Sequence, residues 1–253
     1  MTVIVDPNLR NDELYHLNGF FVQGFEKSST NICNLLAEIK REKLKPGFTL
    51  EEKYRGTKDL RPQAIDYDEE IINFLLKTGL YKKLCDLSSQ ELELFHVQVR
   101  LAYPESNIGN MSYMDWHRDS YYKDGKKLGF FPPAHKIIFY PDLCNSEQES
   151  LKVIPGSHKA DIHFDQTYSG ASLNNFDKSL IGGIPEVRFR ASNSSAIIFN
   201  TSILHGACIL KGEPKIRVVY SFVTKNQMKN APDDHKRTSN KFSQLLEMEQ
   251  KNG

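Results

Sequence analysis

The sequence has no excess of one charge and no long apolar segment. Its 33 basic residues are matched by 32 acidic ones, so the formal net charge is +1. A nearly neutral chain offers no electrostatic footprint for nucleic acid or for an anionic membrane surface. No apolar run approaches the roughly 20 residues that a membrane-spanning helix needs. The first residues, MTVIVDPNLRNDELYHL, lack the pattern of a signal peptide. We therefore expect no nucleic-acid or membrane partner.

The sequence is also poor in cysteine. Its four cysteines, Cys33, Cys85, Cys144 and Cys208, are widely separated and form no C-x-x-C pair. This scatter is typical of free thiols in a reducing compartment rather than of a disulfide framework or a zinc knuckle. Together with the lack of a spanning segment, it predicts a soluble, cytoplasmic protein.

What the chain does have is enough apolar material for a sizeable core. It contains 253 residues, of which 39% are hydrophobic, with 15 Phe and 11 Tyr. No internal repeat, low-complexity tract or shift in composition marks a boundary, so we predict a single domain over residues 1–253. Within it we expect a helical N-terminal part at about 1–90, a β core at about 91–224 and a polar C-terminal tail at 225–253.

Hydrophobic periodicity places helices first and strands later. Helices are predicted over residues 11–18, after Ser28 and Ser29, and from residue 69 to residue 87. Residues 95–104 alternate between apolar and polar, which is typical of a strand with one buried face. Further strands are predicted at residues 20–25, 111–118 and 135–143, and in the segments LKVIPGSHK, EVRFRA, SAIIFN, SILHGACIL and KIRVVYSFVT. This order favours a mainly β sandwich or barrel with helices packed outside it.

Residues 48–68 have little apolar content. We interpret them as a long connection, either lying over a pocket or running along the surface. Residues 241–250 are predicted to form a short terminal helix.

The most informative stretch is YMDWHRDSYY, residues 113–122. Its centre holds His117 and Asp119, which point to the same side of a strand because side chains alternate between its faces. An imidazole beside a carboxylate is two thirds of the 2-His-1-carboxylate arrangement that holds non-haem Fe(II). The pair alone is easily met by chance, so a third ligand is needed.

His205 is the candidate for that third ligand. It follows the strand-like segment IIFN and precedes Gly206 and Ala207, whose small side chains leave room beside it. Taken in isolation, its preferred interpretation is a buried histidine that is hydrogen-bonded within the core, and the other motifs are what favour a ligand. His158, in PGSHK, is interpreted as a turn residue with backbone partners.

Arg217 lies inside the apolar strand IRVVYSFV. A buried guanidinium needs an anionic partner, because an unpaired buried charge is costly. The partner is either a protein acid, such as Glu186 or Glu213, or the carboxylate of a bound cosubstrate, which a guanidinium fork matches in a bidentate pair.

These segments, taken in order, resemble the phytanoyl-CoA dioxygenase family of Fe(II)/2-oxoglutarate oxygenases. The resemblance is carried by YHLNGFFV, HRD, LKVIPGSHK, FNTSILHGA and IRVVYSFV, which together span residues 15–223. It implies a double-stranded β-helix (jelly-roll, cupin-like) core. It also implies iron ligation by His117, Asp119 and His205, and contact between Arg217 and the distal carboxylate of 2-oxoglutarate.

The resemblance further implies the reaction. With Fe(II), O₂ and 2-oxoglutarate, such an enzyme oxidises a small-molecule substrate and releases succinate and CO₂. Related halogenases lack the carboxylate ligand, so the presence of Asp119 favours hydroxylation over halogenation. Gln98 and Arg100 share the polar face of their strand, and we predict that they contact the cosubstrate or else lie on a solvated outer face. Tyr113, Asp115 and Tyr121 are expected near the substrate, and residues 159–185 are expected to form a lid.

Two other functions remain open from the sequence. A divalent-metal hydrolase or isomerase would use the same three ligands to activate water and would not need Arg217. A catalytically silent binding protein would retain the fold alone. Nothing in the sequence indicates an oligomeric state or identifies the substrate.

Overall fold

The structure is a computed structural model that describes residues 8–25, 30–54, 56–104, 116–119, 122–123, 126–127, 134–141, 149–159, 186–190, 194–208 and 212–252. The helices are α1 (Asn11–Asn18), α2 (Thr30–Lys40), α3 (Ala64–Tyr67), α4 (Glu70–Lys77), α5 (Leu80–Ser88), α6 (Lys225–Met228) and α7 (Asp233–Asn252). The strands are β1 (Phe20–Gly24), β2 (Thr49–Tyr54), β3 (Thr57–Arg61), β4 (Leu92–Ala102), β5 (Tyr122–Lys123), β6 (Lys126–Lys127), β7 (His135–Tyr140), β8 (Glu149–Val153), β9 (Val187–Arg190), β10 (Ser195–Asn200), β11 (His205–Ala207) and β12 (Lys215–Thr224).

Two antiparallel sheets form the centre of the molecule. The large sheet has the order β1-β10-β7-β12-β4-β3-β2, and the small sheet has the order β11-β8-β9. A backbone bridge between His117 and His205 continues the small sheet beyond β11. The strands at the centre of the large sheet, β7 and β12, are distant in sequence. The sheet is therefore assembled from crossover connections, as expected for a jelly-roll.

The two sheets face each other across a shared apolar cluster. The large sheet contributes Ile138, Ile197 and Val219, and the small sheet contributes Leu151 and Val153. Each of these five side chains is at most 6% exposed. Since cross-strand partners point to the same side of a sheet, this cluster identifies the inner face of every strand that pairs with them.

The opposite, outer face of the large sheet is covered by helices. Its side chains from β4, β7, β10 and β12 join those of α2, α4, α5 and α7 in the main core, which includes Val97, Val99, Leu101, Ile137, Phe139, Val218, Tyr220, Phe222 and Phe242. The alternation predicted for residues 95–104 therefore reflects a strand between two chemically different layers.

The junction of α1 and β1 lies in close contact with the His158 side chain. Gly19 ends α1 with φ +85°, a left-handed backbone conformation that residues other than glycine rarely adopt. A Cβ at Gly19 would lie 2.6 Å from His158 Nδ1. His158 Nε2 in turn lies 3.0 Å from the His16 carbonyl oxygen. His158 is thus a turn residue with a backbone partner, as predicted.

The sequence prediction was wrong for residues 48–68. They form the β2–β3 hairpin and α3, not a long connection. β3 pairs with β4 through Asp59 and Arg100, so the hairpin widens the large sheet. Its strands, TLEEKY and TKDLR, carry few apolar residues, which hides the usual strand pattern; β2 is the edge strand, and β3 lies between it and β4.

The terminal helix is longer than predicted. α7 runs over 20 residues and buries Phe242 in the main core. Asp233 and Asp234 in its first turn favour the positive end of the helix dipole. None of the described helices is long and apolar enough to cross a membrane.

Candidate metal centre

The sheet geometry brings His117 and His205 together. His117 N–H donates to the His205 carbonyl oxygen at 2.9 Å, and His205 N–H donates to the His117 carbonyl oxygen at 3.0 Å. The Asp119 N–H then donates to the Thr201 carbonyl oxygen at 3.1 Å. Two segments that are 88 residues apart in the sequence (205 − 117) are held side by side by these backbone contacts.

The three side chains predicted as ligands converge at this point. One ligand atom from each of His117, Asp119 and His205 lies within 4.8 Å of the others. His205 Nε2 is 3.3 Å from Asp119 Oδ2, and His117 Nε2 is 3.9 Å from Asp119 Oδ1. Two imidazole nitrogens and one carboxylate oxygen are the donor set of facial non-haem iron sites, so these residues fit a divalent transition metal.

The His205 ring is oriented by the backbone. Its Nδ1 lies 2.9 Å from the Ile203 carbonyl oxygen, which can only accept, so Nδ1 carries the proton. In the neutral ring the lone pair is then on Nε2, the nitrogen that faces Asp119. This is the tautomer that a metal ligand requires.

The PGSHK segment supports the same strand from outside. Ser157 is buried, and its hydroxyl donates to the Ile154 carbonyl oxygen at 2.6 Å and accepts from the Leu204 N–H at 2.8 Å. Arg118 Nη2 donates to the Ser157 carbonyl oxygen at 2.6 Å. One turn thus connects both segments that carry the candidate ligands. The role is structural, as the sequence predicted for this motif.

A fourth residue at this centre was missed in the sequence. Lys136 Nζ lies 2.8 Å from Asp119 Oδ2. Burial alone would raise the pKa of Asp119, but Lys136, followed by His205 and His117, more than offsets this and holds that pKa well below its usual range. The signal was available: Lys136 is a cation inside the apolar strand HKIIFY, just as Arg217 is inside IRVVYSFV.

Arg217 lies on the same inner face, farther from the histidines. It is 9% exposed and precedes Val219 of the inner cluster by two residues on β12. Glu213 and Glu186, the two acids considered as its partners, form ion pairs with Lys40 at 3.5 Å and with Arg188 at 2.5 Å.

Tyr140 is the neighbour of Arg217 on β7. Val218 pairs with Phe139, and because the strands are antiparallel the next two facing residues are Arg217 and Tyr140. Burial raises the pKa of Tyr140 to about 12, against the opposing effect of the Arg217 charge. Its hydroxyl is buried and has no hydrogen-bond partner within the described part of the chain. A buried donor beside a guanidinium is suited to a carboxylate ligand.

Gln98 and Arg100 also belong to the inner face. Gln98 is the cross-strand partner of Val219, and Arg100 is the partner of Arg217. Arg100 Nε and Nη2 donate to the two carboxylate oxygens of Asp59 at 2.6 and 2.8 Å. Asp59 is 2% exposed, so this bidentate pair neutralises one of two adjacent guanidinium groups within the protein.

Several predicted residues lie outside the described ranges. They are Tyr113, Asp115, Tyr121 and the expected lid from residue 160 to residue 185. Trp116 is 9% exposed, and the Lys152 ammonium lies 4.8 Å from its ring centre.

Several solved structures with a similar fold contain bound 2-oxoglutarate or belong to alpha-ketoglutarate-dependent enzymes. HygX from Streptomyces hygroscopicus, with nickel and 2-oxoglutarate bound, is 17% identical with a TM-score of 0.59, over 84% of this chain and 85% of HygX. The epimerase SnoN, in complex with Fe³⁺, alpha-ketoglutarate and nogalamycin RO, is 14% identical with a TM-score of 0.62, over 84% of this chain and 82% of SnoN.

A third structure extends the range of reactions on this fold. The alpha-ketoglutarate-dependent carbocyclase SnoK from nogalamycin biosynthesis is 12% identical with a TM-score of 0.59, over 86% of this chain and 85% of SnoK.

No family model matches the chain, and no curated protein matches it. At this level of identity the likeness shows the fold. The predicted mainly β, jelly-roll architecture with flanking helices is confirmed.

Proposed function

We propose that this protein is an Fe(II)- and 2-oxoglutarate-dependent oxygenase that acts on a small-molecule substrate with O₂. One observation carries the proposal: His117, Asp119 and His205 converge within 4.8 Å at one end of the inner face, on which Arg217 also lies. The fold is shared with HygX, whose structure holds nickel and 2-oxoglutarate. The resemblance to the phytanoyl-CoA dioxygenase family belongs to this proposal as well.

In the proposed site each residue has a distinct task. His117 Nε2, His205 Nε2 and an Asp119 oxygen hold the metal, while Arg217 and the Tyr140 hydroxyl bind the distal carboxylate of the cosubstrate. O₂ would be the oxidant at the bound metal: one of its oxygen atoms would enter the succinate that forms with CO₂ from 2-oxoglutarate, and the other would enter the substrate. Gln98 lies between these two ends of the inner face and is proposed to contact the cosubstrate. The charge of Arg100 is neutralised by its pair with Asp59, so Arg100 adds no net charge beside Arg217.

Hydroxylation is the proposed outcome. Asp119 occupies the position that halogenases leave free for a halide, so oxygen insertion is favoured over halogenation. SnoN is an epimerase and SnoK a carbocyclase, so the fold supports several outcomes and substrate placement decides among them. A reducing, cytoplasmic setting is also proposed, since Cys33, Cys85 and Cys208 form no disulfide.

The decisive experiment measures oxygen consumption and succinate release with Fe(II), with and without 2-oxoglutarate. We expect both to require 2-oxoglutarate and to be lost in Asp119→Ala and His205→Ala. A metal hydrolase or isomerase would turn over its substrate without oxygen, and a silent binding protein would form no succinate. Near-normal succinate release by Asp119→Ala would overturn the assignment of the three ligands.

A further inference from the structure

Lys136 lies beside the ligand cluster and has no task in the function proposed above. Its Nζ contacts Asp119 Oδ2 at 2.8 Å, and the side chains of Lys136 and Asp119 are each 19% exposed. Across the described residues, Asp119 is the one carboxylate within ion-pair distance of this ammonium. A largely buried lysine that uses its charge on one candidate ligand requires an explanation.

The position of Lys136 is set by the centre of the large sheet. On β7 it pairs with Phe199 of β10 on one side and with Ser221 of β12 on the other. The Phe199 ring also packs against His205, with 5.1 Å between the ring centres. The ammonium therefore reaches Asp119 from the large sheet, whereas the two histidines reach it from the small sheet.

The two Asp119 oxygens have different surroundings. Oδ2 is 2.8 Å from Lys136 Nζ and 3.3 Å from His205 Nε2, while Oδ1 is 3.9 Å from His117 Nε2, so each oxygen lies near one candidate ligand nitrogen. A carboxylate can bind a metal through one oxygen or through both. The lysine occupies a lone pair of Oδ2, and its charge repels a divalent cation from that oxygen.

We propose that Lys136 is a positioning residue that holds Oδ2, so that Asp119 binds the metal through one oxygen rather than two. This inference rests on the proposed function, in which the cosubstrate needs two of the positions that the protein leaves open. If both Asp119 oxygens bound the metal, one of those positions would be lost. Lys136 therefore affects cosubstrate binding by limiting the number of metal coordination positions that Asp119 occupies.

A different role would follow if Lys136 were only a counterion of the metal-free carboxylate, displaced when the metal binds. Removing the lysine would then strengthen metal binding and leave cosubstrate binding unchanged. A purely structural role would weaken both. The positioning role alone predicts changes in opposite directions.

The test compares Lys136→Met, which keeps length and apolar character, with Lys136→Arg, which keeps the charge and a donor. Lys82→Met is the matched control, because Lys82 is 80% exposed on α5 and pairs with Asp86. Calorimetry measures the affinity for Co(II), and then the affinity of the Co(II)-loaded protein for 2-oxoglutarate. The visible absorption of Co(II) reports its coordination.

We expect Lys136→Met to bind Co(II) about tenfold more tightly, because a repelling charge is removed and a second oxygen can bind. The same variant should bind 2-oxoglutarate about tenfold more weakly and show a changed Co(II) absorption. Lys136→Arg should stay within about threefold of the wild type in both affinities, because it retains a cationic donor. Lys82→Met should match the wild type.

Unchanged 2-oxoglutarate affinity in Lys136→Met overturns the proposal in favour of a counterion, and joint weakening overturns it in favour of a structural role. A wild-type protein that binds Co(II) but not 2-oxoglutarate contradicts the proposed function instead. In that case the Co(II) absorption still decides the role of Lys136: an identical spectrum in Lys136→Met overturns it, and a changed one supports it.

Discussion

The two faces of the large sheet use the same strands for different purposes. On β12 the outer residues Val218, Tyr220 and Phe222 are fully buried under helices. The alternate residues Arg217 and Ser221 point inward, where the candidate ligands lie. The outer face is mainly apolar, whereas the inner face combines an apolar middle with charged groups at both ends.

This contrast indicates that the outer face mainly determines the stability of the fold and the inner face mainly determines ligand binding. Apolar burial stabilises a fold in proportion to the area removed from water. A buried ion pair such as that of Arg100 with Asp59 adds little net stability, because the cost of desolvating two charges offsets their attraction. We therefore expect substitutions on the two faces to have separable effects.

The largest effect is expected on the outer face. Phe222→Ala removes a fully buried ring that stacks on Tyr81, with 6.0 Å between the ring centres. It should lower the free energy of unfolding by about 3–5 kcal/mol. Urea denaturation measures this, and metal affinity of the protein that remains folded should be unchanged. A loss of metal affinity under native conditions would show that the outer face also determines metal binding.

The next effect belongs to the inner face. Arg217→Met should weaken 2-oxoglutarate binding about a hundredfold, since a buried bidentate charge pair is worth several kcal/mol once one partner is lost. The affinity for Ni(II) and the free energy of unfolding should change little. Arg217→Lys is the control that retains charge without the fork. Equal affinity for 2-oxoglutarate in Arg217→Met and the wild type would show that Arg217 does not bind the distal carboxylate.

Acid should destabilise the protein through one histidine on each face. Burial lowers the pKa of His135 to about 4, and burial, together with nearby His235, lowers the pKa of His96 to about 4. An unfolded histidine has a pKa of about 6.5. The unfolded state therefore takes up protons first as the pH falls, so stability is full above about pH 6.5 and is lost between about pH 6.5 and 4.

This pH dependence can be divided by mutation. Each histidine should contribute a loss of about 2 kcal/mol between pH 7.5 and pH 5.0. His135→Gln, on the outer face where the Tyr15 hydroxyl lies 2.7 Å from His135 Nδ1, should remove about half of the loss. Urea denaturation at the two pH values measures it. An unchanged pH dependence in His135→Gln would show that His135 is not buried in its neutral form.

The smallest effect concerns the junction at Gly19. Gly19→Ala combines a left-handed φ of +85° with an approach of 2.6 Å to His158 Nδ1, and should cost about 1–3 kcal/mol. Gly24→Ala is the matched control, because a Cβ there meets nothing within 4 Å. Thermal unfolding compares the two. Equal melting temperatures would mean that His158 does not pack against Gly19.

The sequence predicted those parts whose pattern is local. The strand Lys215–Thr224 and the helix Asn11–Asn18 were found with their observed bounds, because each has continuous periodicity and a clear end. The approach of His117, Asp119 and His205 was predicted from the order of short motifs. Their roles as ligands stay a prediction.

Other parts depend on partners far away in the chain. The polar strands β2 and β3 are strands because they extend an existing sheet edge, and no local signal records that edge. The ion pair of Arg100 with Asp59 joins residues 41 positions apart, so the sequence does not show that Arg100 has a partner within the protein. Lys136 was missed for a different reason, since its signal was present and was applied only to Arg217.

The ligand set is tested most directly by a crystal structure of the protein with Mn(II) and 2-oxoglutarate, with the metal located by anomalous scattering. The account predicts one Mn(II) at about 2.0–2.3 Å from His117 Nε2, His205 Nε2 and a single oxygen of Asp119. It also predicts a 2-oxoglutarate carboxylate against Arg217 and Tyr140. A metal bound elsewhere, or 2-oxoglutarate turned away from Arg217, would contradict it.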